Sequence, residues 1–188
     1  DTVIQKADEL RNWLDSMDIS ESLKNARALR ETSGSLVELG DAGVGGEAKA
    51  TNAVAANQSP QFVFMGGDLA YENGMIPRIF LQFLKNYSEQ MIDPEGRTIP
   101  LVACLGNHEV RGGYGKPRSE APFFYSMFDG LFPDVGHACL DFGDYLSMVI
   151  LDSNHTTPIE GEQTSWLDKT LKERENRPNV MAFYHVPS

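Results

Sequence analysis

Phe62-Val63-Phe64-Met65-Gly66-Gly67-Asp68-Leu69-Ala70-Tyr71 decides how this chain is read. A short apolar run closed by glycines has the length and composition of a buried strand. It stops abruptly and presents a carboxylate, as strands do when a site lies at the carboxyl edge of a sheet. Three other runs behave the same way. Leu36 to Leu39 meets Gly40-Asp41-Ala42-Gly43, Leu101 to Leu105 meets Gly106-Asn107-His108-Glu109, and Val180 to Tyr184 meets His185-Val186-Pro187. All four junctions offer oxygen or imidazole donors, and together they argue for a metal centre.

The segments between these junctions alternate. Strands are expected at 36–40, 61–66 and 100–105, with helices near 47–57 and 75–87. In the second helix Ile76, Ile79, Phe80, Phe83 and Leu84 share one face. This β-α-β-α-β order implies a parallel sheet. Residues 110–120, rich in glycine and charge, read as a long surface loop of the kind that borders sites. The aromatic stretch from Pro122 to Pro133 reads as a core plug. A hairpin is expected between 138–142 and 145–151 across Gly143-Asp144, where glycine suits the first position of a type II′ turn. Trp166, Leu167 and Leu171 mark a further helix, and 180–184 a last strand. Residues 3–17 carry an amphipathic helical pattern, so 1–35 form a helical or linker segment ahead of a domain spanning 36–188.

Bulk properties narrow the function. A chain of 188 residues suffices for one domain with a substantial core. The formal net charge of −11 disfavours a nucleic-acid partner, because phosphate backbones are met by Lys and Arg. It leaves small phosphate substrates open, since bound cations reverse the local field. No apolar stretch has the length of a membrane span. Beginning at Asp1 rather than Met, the chain is expected to be processed or part of a longer protein. Cys104 and Cys139 both fall in apolar runs and read as buried thiols rather than a disulfide.

The donor residues suggest specific chemistry. An ionised aspartate has about four lone-pair sites, so Asp41 and Asp68, at the ends of consecutive strands, can share cations. Asn107 offers an amide oxygen and His185 an imidazole nitrogen, both suited to zinc, iron or manganese. Tyr71 has a phenol that only a strong Lewis acid keeps ionised near neutrality, which favours ferric iron as its partner. His108, next to Asn107, is placed to face substrate and protonate a leaving alkoxide or bind phosphoryl oxygens. Glu109 would orient His108 or a neighbouring loop group. His155, at a strand end after Asp152-Ser153-Asn154, could line the site, whereas His137 reads as surface.

Taken in order, the four blocks resemble the signature of calcineurin-like metallophosphoesterases. Asp-x-Gly in the first block, with Tyr71 after Asp68, resembles the purple acid phosphatase branch. The resemblance covers about residues 36–188 and implies an α/β fold, a metallophosphoesterase-type sandwich of mixed sheets flanked by helices. It implies two metal ions, iron with zinc, manganese or a second iron. Tyr71 and Asp41 would hold the iron, Asp68 would bridge, Asn107 and His185 would hold the second metal, and His108 would assist catalysis. The implied reaction is hydrolysis of a small phosphate ester by metal-activated hydroxide. Similar proteins are mostly exported, which points to a periplasmic or secreted location.

One departure matters. The family closes its site with a Gly-His-x-His block, and this chain reaches Ser188 without one. Either the domain is truncated at its carboxyl end or its metal affinity is impaired, and the chain alone is then expected to be weak or inactive. Two other readings remain. Gly43-Val44-Gly45-Gly46-Glu47-Ala48 fits the dinucleotide-binding pattern between a strand and a helix, with Asp68 placed as a ribose acid. That reading leaves Asn107-His108 and His185 unexplained. A non-catalytic metal-binding domain is the third.

Overall fold

A computed structural model of the chain describes residues 36–39, 42–71 and 73–187. The helix expected over 3–17, the connector to residue 35 and the predicted ligand Asp41 lie outside the described residues.

Strands β1 (Leu36–Leu39), β2 (Phe62–Met65) and β3 (Leu101–Ala103) form a parallel three-stranded sheet in the order β1-β2-β3. Leu39 is in register with Met65, and Met65 with Ala103, so the strands end level and their following loops emerge along one edge. The crossovers are α1 (Gly46–Ala56) and α2 (Pro77–Gln90), which pack against each other. Pro77 opens α2 at a position where its missing N–H costs nothing. The helix buries Phe80, Phe83 and Leu84 of the face its spacing predicts, with Ile79 half-buried; Tyr87 extends that face, and Ile76 stands outside it as the exposed N-cap.

The second sheet holds β4 (Ala138–Phe142), β5 (Leu146–Ile150) and β6 (Asn179–Phe183) in the order β4-β5-β6. β4 runs antiparallel to β5, and β6 runs parallel to it. Helix α4 (Thr164–Lys172) lies on the connection from β5 to β6. The hairpin departs from expectation by one residue. Phe142 pairs with Leu146, so Tyr145 belongs to the turn and not to the strand. The Tyr145 N–H donates to the Phe142 carbonyl, and Gly143 sits at φ +52°, a conformation glycine adopts without steric penalty.

The sheets meet through aromatic contacts. Phe62 stacks on Phe142 at 5.0 Å between ring centroids, and Phe64 meets Phe183 at 4.2 Å. Beside them α3 (Pro122–Met127) buries Phe123, Phe124 and Tyr125, with Phe128 and Phe132 completing the expected plug. Each buried Phe contributes about 1.5–3 kcal/mol relative to an exposed one.

Two local readings need correction. His137 is buried rather than on the surface, because its ring packs against Trp166 at 4.3 Å. Cys139 is only half-buried, and both cysteines are free. At the outer strand β6, Val180 and Met181 are exposed.

Candidate metal centre

Two glycines allow the loops after β2 and β3 to touch. Gly67 has φ +97°, and a β-carbon there would stand 2.8 Å from His185 Nδ1 and 2.9 Å from Gly106 Cα. A β-carbon on Gly106 would overlap the Asp68 amide and carboxylate. Asp68 itself adopts φ +50°, a left-handed conformation that Asp tolerates better than most residues and that is frequent at functional sites. Gly67 and Asp68 together turn the chain sharply at the sheet edge, so that Asp68 Oδ1 accepts the His108 N–H at 2.9 Å.

Glu109 locks this junction from below. Its buried carboxylate accepts N–H groups from Asp68 at 2.9 Å, Gly106 at 3.2 Å and Ala70 at 3.4 Å. Burial and the neighbouring Asp68 charge push its carboxyl up to about 7. The sequence suggested that Glu109 orients His108 or a loop group; it holds loop amides on both sides. Burial alone would raise the Asp68 carboxyl. Its bonds to His185 and the His108 N–H, with the two imidazoles nearby, outweigh that and hold it below the usual carboxylate value.

His185, from the end of β6, completes the meeting. Its Nδ1 lies 2.7 Å from the Gly66 carbonyl, which can only accept, so Nδ1 carries a proton. Its Nε2 stands 3.0 Å from Asn107 Oδ1 and 3.4 Å from Asp68 Oδ2. A protonated ring donates its Nε2–H to Asn107 Oδ1 or Asp68 Oδ2; with the ring neutral, Nε2 is an acceptor and three electron-rich atoms face one another. A cation between them converts that repulsion into ligation, and a carbonyl-oriented imidazole is the usual support of a metal-binding histidine. The donor set of carboxylate, amide oxygen and imidazole suits zinc, manganese or iron. Among the described residues no group of three His, Cys, Asp or Glu side chains is arranged to hold an ion; the meeting consists of two such groups and an amide.

Comparison with known proteins bears on this edge. The family model described as calcineurin-like phosphoesterase matches residues 36–188, a span that contains every donor named above. The chain belongs to the calcineurin-like phosphoesterase family. A purple acid phosphatase isolated from yellow lupin (Lupinus luteus) seeds is similar in structure, with a TM-score of 0.56 at 19% identity. The likeness covers 82% of this chain and 30% of the lupin chain, and at that identity it speaks for the fold. The α/β sandwich expected from the sequence is therefore the fold of this chain. No curated protein sequence matches the chain. Family membership leaves the dinucleotide-binding reading without support, and the glycines of Gly43–Gly46 serve as the turn that opens α1 at its N-cap, Gly45.

The remaining candidates of this family member are placed as follows. His108 has its ring Nε2 3.9 Å from Asp68 Oδ2 and its side chain 27% exposed, on the open side of the carboxylate. Tyr71 stacks on His108 at 4.2 Å, so it stands beside the donors. It also lines a cleft of about 490 Å³ with the turn that enters α1. His155 is wholly buried, its ring 5.6 Å from that of His185, and burial holds its imidazole below the ordinary value. Sequence reasoning missed the Gly66 carbonyl, because a backbone acceptor leaves no mark on residue type. It also missed Tyr114, which sits against His155 at 4.7 Å.

Proposed function

We propose that the chain carries a cation centre of the purple acid phosphatase type and hydrolyses phosphate esters. The observation that carries this reading is the meeting of Asp68, Asn107 and His185 from three strand ends, with His108 alongside. Asp68 would bridge two ions, Asn107 and His185 would hold one, and Tyr71 with Asp41 would hold iron. The partner ion would be zinc, manganese or a second iron. Cations held there polarise phosphoryl oxygens and make water acidic enough to attack near neutral pH.

The protein supplies the rest. The Gly66 carbonyl fixes the His185 tautomer. Glu109 keeps the two donor loops in register. His108, its side chain 27% exposed, gives up its Nε2 proton to the ester oxygen as that P–O bond breaks. The water oxygen forms the new P–O bond, and the proton it releases restores the ring.

The test is hydrolysis of p-nitrophenyl phosphate by the full chain with iron, zinc or manganese supplied. The expected result is metal-dependent turnover that falls by more than about a hundredfold in Asp68→Asn and in Asn107→Ala, a larger loss than residues supporting a ligand cause. Near wild-type turnover in either variant contradicts the reading. Metal binding without turnover would favour a non-catalytic metal-binding domain instead.

A further inference from the structure

His155 follows β5 and is wholly buried. Its Nδ1 lies 2.8 Å from the Gly113 carbonyl, so Nδ1 carries the proton and Nε2 a lone pair. That Nε2 has no hydrogen-bond partner among the described residues. The residue is strapped in place by backbone. Gly115 N–H donates to the Asn154 carbonyl at 2.7 Å, Lys116 N–H donates to the His155 carbonyl at 2.9 Å, and the Tyr114 ring covers the imidazole. A buried imidazole held at Nδ1 with its other nitrogen unanswered calls for a partner.

His185 is built on the same plan, with Nδ1 on a backbone carbonyl and Nε2 turned to the donors. The two ring centroids stand 5.6 Å apart. Two imidazoles sharing one tetrahedral zinc at about 2.0–2.1 Å have centroids roughly 5–6 Å apart. Among the described residues His137 Nδ1 is also without a hydrogen-bond partner, but its ring neighbour is Trp166, which brings no donor set.

We propose that His155 is a further nitrogen ligand of the cation held by Asp68, Asn107 and His185. The centre then draws a donor from the end of β5 as well as from β2, β3 and β6. The three side chains His155, His185 and Asp68 are not closed around an ion here, so His155 joins the set when the ion binds. The proposal rests on the metal-centre reading above.

The probe is zinc alone, titrated into the metal-free full chain, with X-ray absorption at the zinc edge counting imidazoles. His155→Gln keeps an amide to meet the Gly113 carbonyl but removes the imidazole. Zinc affinity is expected to fall at least tenfold in that variant, with one imidazole fewer per zinc and a little-changed melting temperature. Unchanged affinity and imidazole count would overturn the proposal. Should that variant not fold, one imidazole per zinc in the wild type refutes the proposal, and two or more that persist in His108→Ala support it. Zinc lost in His185→Ala and Asp68→Asn but kept in His155→Gln ends this proposal alone. Zinc kept in all three ends the metal-centre reading as well.

Discussion

Asp68 and Asp152 are both buried carboxylates placed just beyond strands, and they spend their oxygens differently. Asp152 Oδ1 accepts the His155 N–H at 2.7 Å. Its Oδ2 takes the Thr156 N–H at 2.9 Å, the Thr156 hydroxyl at 2.8 Å and the Thr157 N–H at 2.8 Å. Four donors saturate it, and it serves as the nucleus of a loop. Asp68 takes one backbone N–H on Oδ1, while Oδ2 faces two imidazoles at 3.4 and 3.9 Å. A carboxylate that builds structure uses its lone pairs locally. One that serves chemistry keeps capacity aimed at a place where a ligand can enter.

This difference predicts opposite phenotypes. Asp68→Asn keeps an oxygen for the His108 N–H, so it should cost about 1 kcal/mol of stability or less while metal-dependent turnover collapses by more than about a hundredfold. Equal losses in both readouts would make Asp68 structural. Asp152→Ala strands one buried and two half-buried N–H groups, a buried one being worth about 1–3 kcal/mol. Denaturant unfolding should therefore show about 2 kcal/mol of destabilisation or more, while the zinc bound per folded molecule at saturating zinc stays the same. Selective metal loss without unfolding would erase the contrast between the two residues.

Two smaller effects sharpen it. Tyr71→Phe leaves the ring on His108 and removes only the hydroxyl, so the iron-loaded protein should lose its visible charge-transfer band with a melting temperature within a few degrees of wild type. An unaltered spectrum and iron content would remove Tyr71 from the ligand set. Asp141 is a third kind of carboxylate, partly exposed and paired with Arg174 at 2.8 Å. The Arg174 hydrogen bond is the main reason its carboxyl drops from 3.8 to about 2. A depressed folded value means stability that is present above about pH 4 and lost as pH falls towards 2. Solvent screening limits the pair to about 1 kcal/mol or less. Asp141→Asn should lower stability by that amount at pH 7 and match wild type near pH 2. A constant deficit across that range would show that the charge is irrelevant.

The strand ends were legible because burial and chemistry change within one or two residues there. Phe62–Met65 is apolar on both faces, and Asp68 follows at once. The aromatic plug around Phe124 was legible for the same reason, since so many rings cannot all face water. What escaped the sequence depended on distant partners. His137 is covered by Trp166, almost thirty residues away in sequence, and no local pattern records that cover. The extra turn residue Tyr145 follows from pairing register, which a hairpin signal leaves open by one place. The burial of His155 depends on a glycine-rich loop that reads as surface but folds back through Gly113, Gly115 and Lys116. Asp41 was read from its motif and lies outside the described residues.

The central claim is that Asp68, Asn107 and His185 surround a cation. The most direct measurement is elemental analysis of the full chain, purified without chelator and compared with Asn107→Ala under the same conditions. Asn107 makes one of the closest side-chain contacts to His185 Nε2 and carries no charge, so its removal tests ligation without altering net charge. Stoichiometric iron, zinc or manganese in the wild type, reduced by at least half in the variant, is the predicted result. Equal metal content in two equally folded proteins would contradict the account.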